Sequence, residues 1–234
     1  MTNSMPVSLI TGAGTGIGRA IARRLSAAGH ALVLVGRRPG PLRETAAMLD
    51  GPSLEHPADV SDPDQAEPVV RSAVDRFGRL DNLVNNAGIA PVYPIHETTP
   101  QRLDEVFAIN ALATGNLIAA AWPVFVAQRA GCVVNLSSMA TLDPFPGFFA
   151  YAASKAAVEL MVVSCAKEGT EYGIRAFAVA PGAVETEMLR KVASPEELPP
   201  ERCLKPDAVA DVIAQCIRGE RDDMNGRTIR LPSP

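Results

Sequence analysis

Apolar positions along the chain follow two alternating rhythms. Short, nearly unbroken apolar runs at 7–10, 31–35, 80–84, 132–136 and 175–180 have the length of strands. Burial on both faces explains why polar residues do not alternate with apolar ones in them. Between these runs, apolar residues recur at helical spacing. Ile17, Ile21 and Leu25, with Ala20 and Ala28, form one such stripe, which Gly29 closes. Further helices are expected over 39–49, from an Asp62-Pro63 start to Phe77, after Pro100, and from Tyr151 to Tyr172. A last helix is expected after Asp207, placed to cap it. A weaker strand is expected at 54–56 and a final one at 227–231.

Strands and helices in this succession predict an α/β fold: a Rossmann-like, doubly wound parallel sheet of about seven strands, with helices on both faces and right-handed crossovers. At 234 residues, with no repeat or linker, the chain reads as one domain over 1–234. A stretch with Pro195, Pro199, Pro200 and Pro206 interrupts the rhythm late in the chain.

Composition narrows the function more than the fold. The apolar share of 47% is ordinary for a globular protein. A net charge of -4 without a basic block argues against nucleic acid as the main partner. Cys132, Cys165, Cys203 and Cys216 are scattered without metal-type spacing, and the first residues lack a basic segment followed by an apolar one. A reduced, cytoplasmic protein is therefore expected. The most apolar stretch, 106–127, is broken by Asn110, Thr114, Gly115, Asn116 and Pro123, so a buried helix suits it better than a membrane span. His30, His56 and His96 lie apart, without a pair at ligand spacing, and no metal site is expected. Asp62 and Asp64 read as helix-start residues, and the charged run 220–223 as a solvated loop.

Candidate chemistry gathers in three places. The first is the loop from Thr11 through Gly12, Ala13, Gly14, Thr15, Gly16 and Ile17 to Gly18, which joins a strand to a helix. Glycines there permit a tight turn and let backbone amides approach a pyrophosphate at the positive end of the helix. The second is the end of the second strand. An NAD site usually places a carboxylate there, whereas this chain has Gly36 followed by Arg37 and Arg38. A guanidinium binds a 2′-phosphate that a carboxylate would repel, so NADP(H) is expected rather than NAD(H). The third is Tyr151-Ala152-Ala153-Ser154-Lys155. One helical turn apart, the phenol and the ammonium face one pocket, and the ammonium is expected to favour the phenolate.

Taken together, these motifs resemble those of the classical short-chain dehydrogenase/reductase family, in its NADP-preferring subgroup, over nearly the whole chain. Thr11–Gly18 resembles the family's cofactor turn, and Asn85, Asn86, Ala87 and Gly88 its Asn-Asn-Ala-Gly motif. Asp59 and Val60 resemble the pair that contacts adenine. Pro181 and Gly182, followed by Thr186, resemble the segment beside the nicotinamide amide. Asn110, Ser138, Tyr151 and Lys155 match the catalytic tetrad. The resemblance implies a Tyr151 that acts as acid in reduction and base in oxidation. It also implies a Lys155 that lowers the phenol pKa and holds the nicotinamide ribose, and a Ser138 that orients the substrate oxygen. Asn110 would fix a local helix distortion and a water of the proton relay. From chemistry alone either Ser137 or Ser138 fits; the family spacing to Tyr151 selects Ser138. Without the family, Asn110 reads as a buried helix–helix hydrogen bond.

The resemblance further implies a coenzyme-binding half to about residue 130 and a catalytic and substrate half from about 131. The expected partner is a small carbonyl or alcohol substrate, and the expected assembly a homodimer or homotetramer. The carboxyl end departs from the pattern, with Leu231-Pro232-Ser233-Pro234 where the family has Asp-Gly-Gly. Phe145, Phe148 and Phe149 suit either a pocket wall for an apolar carbonyl compound or ordinary loop packing, and the 187–206 segment reads as a short substrate lid. The leading reading is hydride transfer between NADP(H) and a ketone, aldehyde or secondary alcohol. Alternatives are an NAD-dependent dehydrogenase of the same family, a catalytically idle NADP(H)-binding scaffold, and a nucleotide-sugar epimerase or dehydratase. The short carboxyl-terminal part disfavours the last.

Overall fold

A computed structural model describes residues 5–234, in which seven parallel strands form one sheet. The reading of the amino terminus rests partly on residues 1–4, which lie outside the described residues. The strands are β1 (Val7–Thr11), β2 (Ala31–Gly36), β3 (Ser53–Pro57), β4 (Asn82–Asn85), β5 (Gly131–Leu136), β6 (Ile174–Pro181) and β7 (Thr228–Leu231). Their order across the sheet is β3-β2-β1-β4-β5-β6-β7. The chain reverses its direction of travel between β1 and β4, and the crevice beyond their carboxyl ends is where ligands bind in open α/β sheets.

Helices cover both faces. α1 (Gly16–Ala27), α2 (Pro39–Ala46) and α8 (Pro206–Arg218) lie on one side. α3 (Ala66–Phe77), α5 (Ala113–Gln128) and α6 (Phe149–Gly169) lie on the other. This explains the unbroken apolar runs. In β2, Leu32 and Leu34 pack toward Ile21, Leu25 and Ile213, while Val33 and Val35 pack toward Val69, Leu117 and Phe125. Both sides of the pleat are core, so no position is left for a polar residue.

Local starts follow the residues present. Asp62 accepts a hydrogen bond from the Asp64 amide at 3.0 Å and opens a short 3-10 turn, Pro63–Gln65, ahead of α3. The expected cap at Asp207 is corrected: Lys205 occupies that position in extended backbone, Pro206 is the first helical residue, and Asp207 lies inside the first turn. A residue before proline is pushed to extended geometry, which moves the helix start two positions back. The 220–223 run is a surface turn, as expected, with Glu220, Asp222 and Asp223 exposed. Asp222 pairs with Arg175 at 2.6 Å and Glu220 with Arg218 at 2.6 Å, around a 3-10 turn Asp222–Met224.

The helix after Pro100 is not regular. α4 (Pro100–Phe107) passes into a π turn, Ala108–Leu112, before α5 begins. By length and composition, Pro100–Gln128 and Phe149–Tyr172 would each suffice to cross a membrane. In this fold they lie against the sheet, with Leu117, Ile118, Phe125 and Val162 in the core. The short α7 (Glu187–Arg190) follows β6 and is braced by Arg190, which pairs with Glu185 and donates to the Leu198 carbonyl at 2.8 Å.

Candidate active site

The glycine loop leaves β1 at Thr11, and its neighbours fix its shape. Gly12 and Gly16 have φ of +65° and +51°, a region costly for other residues. A Cβ at Gly12 would fall 2.8 Å from Asn86 Nδ2, and one at Gly18 2.1 Å from the Gly12 carbonyl oxygen. The loop's carbonyls are tied from outside: Arg19 donates to Gly14 O at 2.6 Å and Thr45 to Ala13 O at 3.0 Å. Thr15 sits at the helix N-cap without a side-chain capping bond, so the first-turn amides face the crevice uncapped by it.

Across the crevice, the Asn-Asn-Ala-Gly segment is locked to the same loop. The Thr11 hydroxyl accepts from the amides of Asn86 and Ala87, each at 3.0 Å, and Asn86 Nδ2 donates to Thr11 O at 2.8 Å. Gly12, Gly14, Thr15, Arg37, Arg38, Asp59, Val60, Ala87 and Gly88 thus line one open cleft, together with Leu42, Ala58, Ile89 and Ile109. Gly18 and Asn86 stand behind it as spacers. Gly16 meets the Thr186 methyl, 3.2 Å from where its Cβ would lie. Arg37 and Arg38 are exposed at the cleft's end. A Ser61 hydrogen bond holds the Asp59 carboxyl below its usual range, and the Arg37 charge acts in the same direction. Pro181 ends β6 and Gly182 follows it, with Gly182 N donating to Leu231 O at 2.8 Å and Ser233 Oγ accepting from Ala183 N at 2.7 Å. The unusual carboxyl tail therefore folds back onto this loop.

The tetrad residues converge where α6, packed on β5 and β6, meets the π turn and the turn that follows β5. Asn110, in the π turn, is buried and fully engaged: Oδ1 accepts from Ile89 N at 2.9 Å, and Nδ2 donates to Ile89 O at 2.9 Å and Ser154 Oγ at 3.0 Å. Its side chain ties the loop after β4 to α6. Lys155 is buried, and its ammonium donates to Leu136 O at 2.7 Å while lying 5.9 Å from the Tyr151 ring centre. A Cβ at Gly88 would lie 3.4 Å from Lys155 Nζ, so the glycine lets the cleft reach the ammonium.

Ser137 and Ser138 take different tasks. Ser137 is buried and donates to Glu159 Oε1 at 2.6 Å. Ser138 caps a 3-10 turn, Met139–Thr141, accepting from Ala140 N at 3.2 Å, and its hydroxyl is near enough to the Tyr151 phenol to pull the phenol pKa down. Phe148 stacks 4.9 Å from the Tyr151 ring, tilted by 55°, and Phe145 meets Phe148 edge-on at 5.9 Å.

The expected lowering of the phenol pKa is not what the chain alone produces. Burial pushes Tyr151 up, against the Ser138 hydrogen bond, and burial also pulls Lys155 down to about 8. Desolvation penalises each charged form, and for both groups it is the largest cause of the shift. A phenol in that state is a proton donor at neutral pH. Glu159 was not foreseen from the sequence, although Tyr151, Lys155 and Glu159 recur every fourth residue on one helix face. Ser154 and Ile89 were also missed, because their contacts span 44 and 21 residues.

The fold and this site define a dinucleotide-fold oxidoreductase. The family model described as short chain dehydrogenase matches residues 6–197. The 3-oxoacyl-(acyl-carrier-protein) reductase FabG of Thermotoga maritima is 36% identical, over 96% of this chain and 95% of its own. The 2-(R)-hydroxypropyl-CoM dehydrogenase of Xanthobacter autotrophicus is 37% identical, over 78% of this chain and 76% of its own. Among solved structures, levodione reductase superposes with a TM-score of 0.90 at 32% identity, covering 97% of this chain and 96% of that one. The chain belongs to the short-chain dehydrogenase family, whose members use nicotinamide coenzymes, NAD(H) or NADP(H).

Proposed function

We propose that this chain is an NADP(H)-dependent reductase of ketones or aldehydes that also runs in reverse on secondary alcohols. The observation that carries the reading is the Tyr151 phenol, close to the Ser138 hydroxyl that lowers its pKa and one helical turn from buried Lys155, whose ammonium lies behind Gly88 of the glycine-lined cleft. The fit to a dinucleotide rests on close approach. At Gly12 and Gly18 no side chain can be accommodated without moving backbone or Asn86, and the uncapped amides of α1 suit a pyrophosphate. Gly12, Gly14, Thr15, Gly16, Ile17 and Gly18 would hold that pyrophosphate, Asp59 and Val60 the adenine side, and Asn86 through Gly88 with Pro181, Gly182 and Thr186 the nicotinamide side. Arg37 and Arg38 support the 2′-phosphate form, since two exposed guanidinium groups flank the cleft where a carboxylate would favour NAD(H).

When bound, a reduced nicotinamide supplies a hydride and an oxidised one accepts it. The chain's own residues manage the oxygen and its proton. Ser138 donates a hydrogen bond to the substrate oxygen, and Tyr151 gives that oxygen a proton in reduction or removes it in oxidation. The phenol is protonated at neutral pH and so ready to give its proton to the substrate oxygen, and burial raises its pKa further. Lys155 keeps a positive charge within reach of the phenol and of a ribose. Asn110 fixes the π turn under the site. Four unpaired, buried cysteines suit a cytoplasmic setting, and the apolar groove between α5 and α6 supports a homodimer or larger homo-oligomer.

The test is NADPH consumption across a panel of ketones and aldehydes by the wild type, Tyr151→Phe and Arg37→Ala. Wild type is expected to turn over at least one carbonyl compound, and Tyr151→Phe to lose turnover by about 10²-fold or more while still melting cooperatively. Preference for NADPH over NADH should fall about 10- to 100-fold in Arg37→Ala. Full turnover by Tyr151→Phe removes the catalytic assignment, and equal wild-type use of both coenzymes removes the NADP(H) assignment.

A further inference from the structure

One oxygen atom grips both ends of the segment that presents Ser138. Glu159 Oε1 accepts from Ser137 Oγ at 2.6 Å and from Thr141 Oγ1 at 3.0 Å. The Thr141 hydroxyl also lies 3.0 Å from the Ser138 carbonyl oxygen, so its single proton is shared between Glu159 and the residue to be positioned. Inside this clamp, Ser138 Oγ accepts from Ala140 N at 3.2 Å. That bond uses a lone pair on one side of the hydroxyl and leaves its proton for the phenol or a substrate oxygen. The direction of the Ser138 O–H therefore follows the geometry of the turn, and the turn is anchored through Glu159. Glu159 itself sits two turns beyond Tyr151 on α6. The clamp thus joins the helix that carries the phenol to the turn that carries the serine.

We propose that Glu159 is a positioning residue, whose carboxylate fixes the 137–141 turn on α6 and so aims the Ser138 hydroxyl at Tyr151. The assignment rests on the proposed catalytic role of the Ser138–Tyr151 pair, but one of its tests does not. Both hydroxyls bond the same carboxylate oxygen, so Glu159→Gln keeps an acceptor in place, whereas Glu159→Ala removes it. Thr141→Val removes one of the two contacts and leaves Glu159 itself untouched.

The first measurement needs no substrate. Tyrosinate absorbance is titrated in wild type, Glu159→Ala, Glu159→Gln, Ser138→Ala and the Glu159→Ala/Ser138→Ala pair, and the Tyr151→Phe curve is subtracted to isolate Tyr151. Loss of the Ser138 hydrogen bond should raise the Tyr151 midpoint by about half to one pH unit. Glu159→Ala is expected to reproduce the rise of Ser138→Ala, Glu159→Gln to stay near wild type, and the double variant to show no further rise.

The second measurement is turnover of a carbonyl compound reduced by the wild type. Glu159→Ala is expected to lower kcat about 10- to 100-fold with the KM for NADPH unchanged, and Thr141→Val to lower it less. In a Ser138→Ala background the further loss from Glu159→Ala should be under about twofold, because coupled residues do not add. An equal loss in both backgrounds, or a Tyr151 midpoint unmoved in Glu159→Ala, overturns the proposal. If the midpoint moves as expected while Tyr151→Phe keeps full turnover, the catalytic reading fails and the clamp stands as geometry without a catalytic role.

Discussion

The ammonium of Lys155 is held where water barely reaches it, and its protonation is coupled to folding. Burial pulls its pKa from 10.5 to about 8. Between those values the unfolded chain binds more protons than the native one, so this group's contribution to stability rises with pH. It is fully present above 10.5 and lost as pH falls toward 8. The span corresponds to roughly 3 kcal/mol. Three buried thiols act in the opposite sense, with Cys132 and Cys216 pushed up to about 12 and Cys165 to about 11. They retain protons in the native state and lose stability as pH rises above 9. Wild type alone therefore gives a mixed curve, and the informative quantity is its stability minus that of Lys155→Met. Measured by urea unfolding at pH 8 and pH 10, this difference should grow in favour of wild type. A constant difference would mean that the ammonium is as well solvated folded as unfolded.

Elements differ in how much of them a sequence discloses. The glycine turn was legible because its cause is local: a strand, a run of glycines and a helix stripe stand side by side in the chain. Its energetic logic makes a prediction of opposite signs. A Cβ on Gly18 would lie 2.1 Å from a backbone oxygen, whereas one on Gly40, in α2, meets nothing within 4 Å. Gly18→Ala should destabilise by about 1–3 kcal/mol through forced backbone shifts and weaken coenzyme binding. Gly40→Ala should stabilise by about 0.5–1 kcal/mol through helix propensity. Thermal or urea unfolding of the two variants, with coenzyme titration, checks both; an equally stable Gly18→Ala would show that the turn is not tightly packed. The π turn was less legible from periodicity, since α4 and α5 carry apolar residues on either side of it without a gap. What holds it is Asn110 bonded to Ile89 and Ser154, and only the family resemblance pointed to a distortion there. The choice between Ser137 and Ser138 was likewise open to chemistry alone, and it is the remote Glu159 that separates their surroundings.

At the scale of the molecule, the sheet buries one flank of α5 and α6 and leaves a groove of about 570 Å³ on the other, lined by Gly115, Ile118, Trp122, Leu160, Met161 and Cys165. Leu160 is 69% exposed there. An apolar groove of this kind is costly to leave in water, and a second copy pairing the same two helices across a two-fold axis would cover it. That pairing would also have a consequence for the site. α6 carries Lys155 toward Gly88 of the cleft, Glu159 toward the 137–141 turn and Leu160 toward the groove, so a partner would press the catalytic helix onto β5 and β6. Leu160→Glu places a charge in the middle of the groove, where its desolvation would be uncompensated. Light scattering should give about twice 24.7 kDa, or a higher even multiple, for wild type and a mass near 24.7 kDa for the variant. The variant should also lose melting temperature in proportion to the interface it gives up. A wild-type chain that is monomeric across the micromolar range would remove the pairing from the account, and with it any role for a partner in seating the catalytic helix.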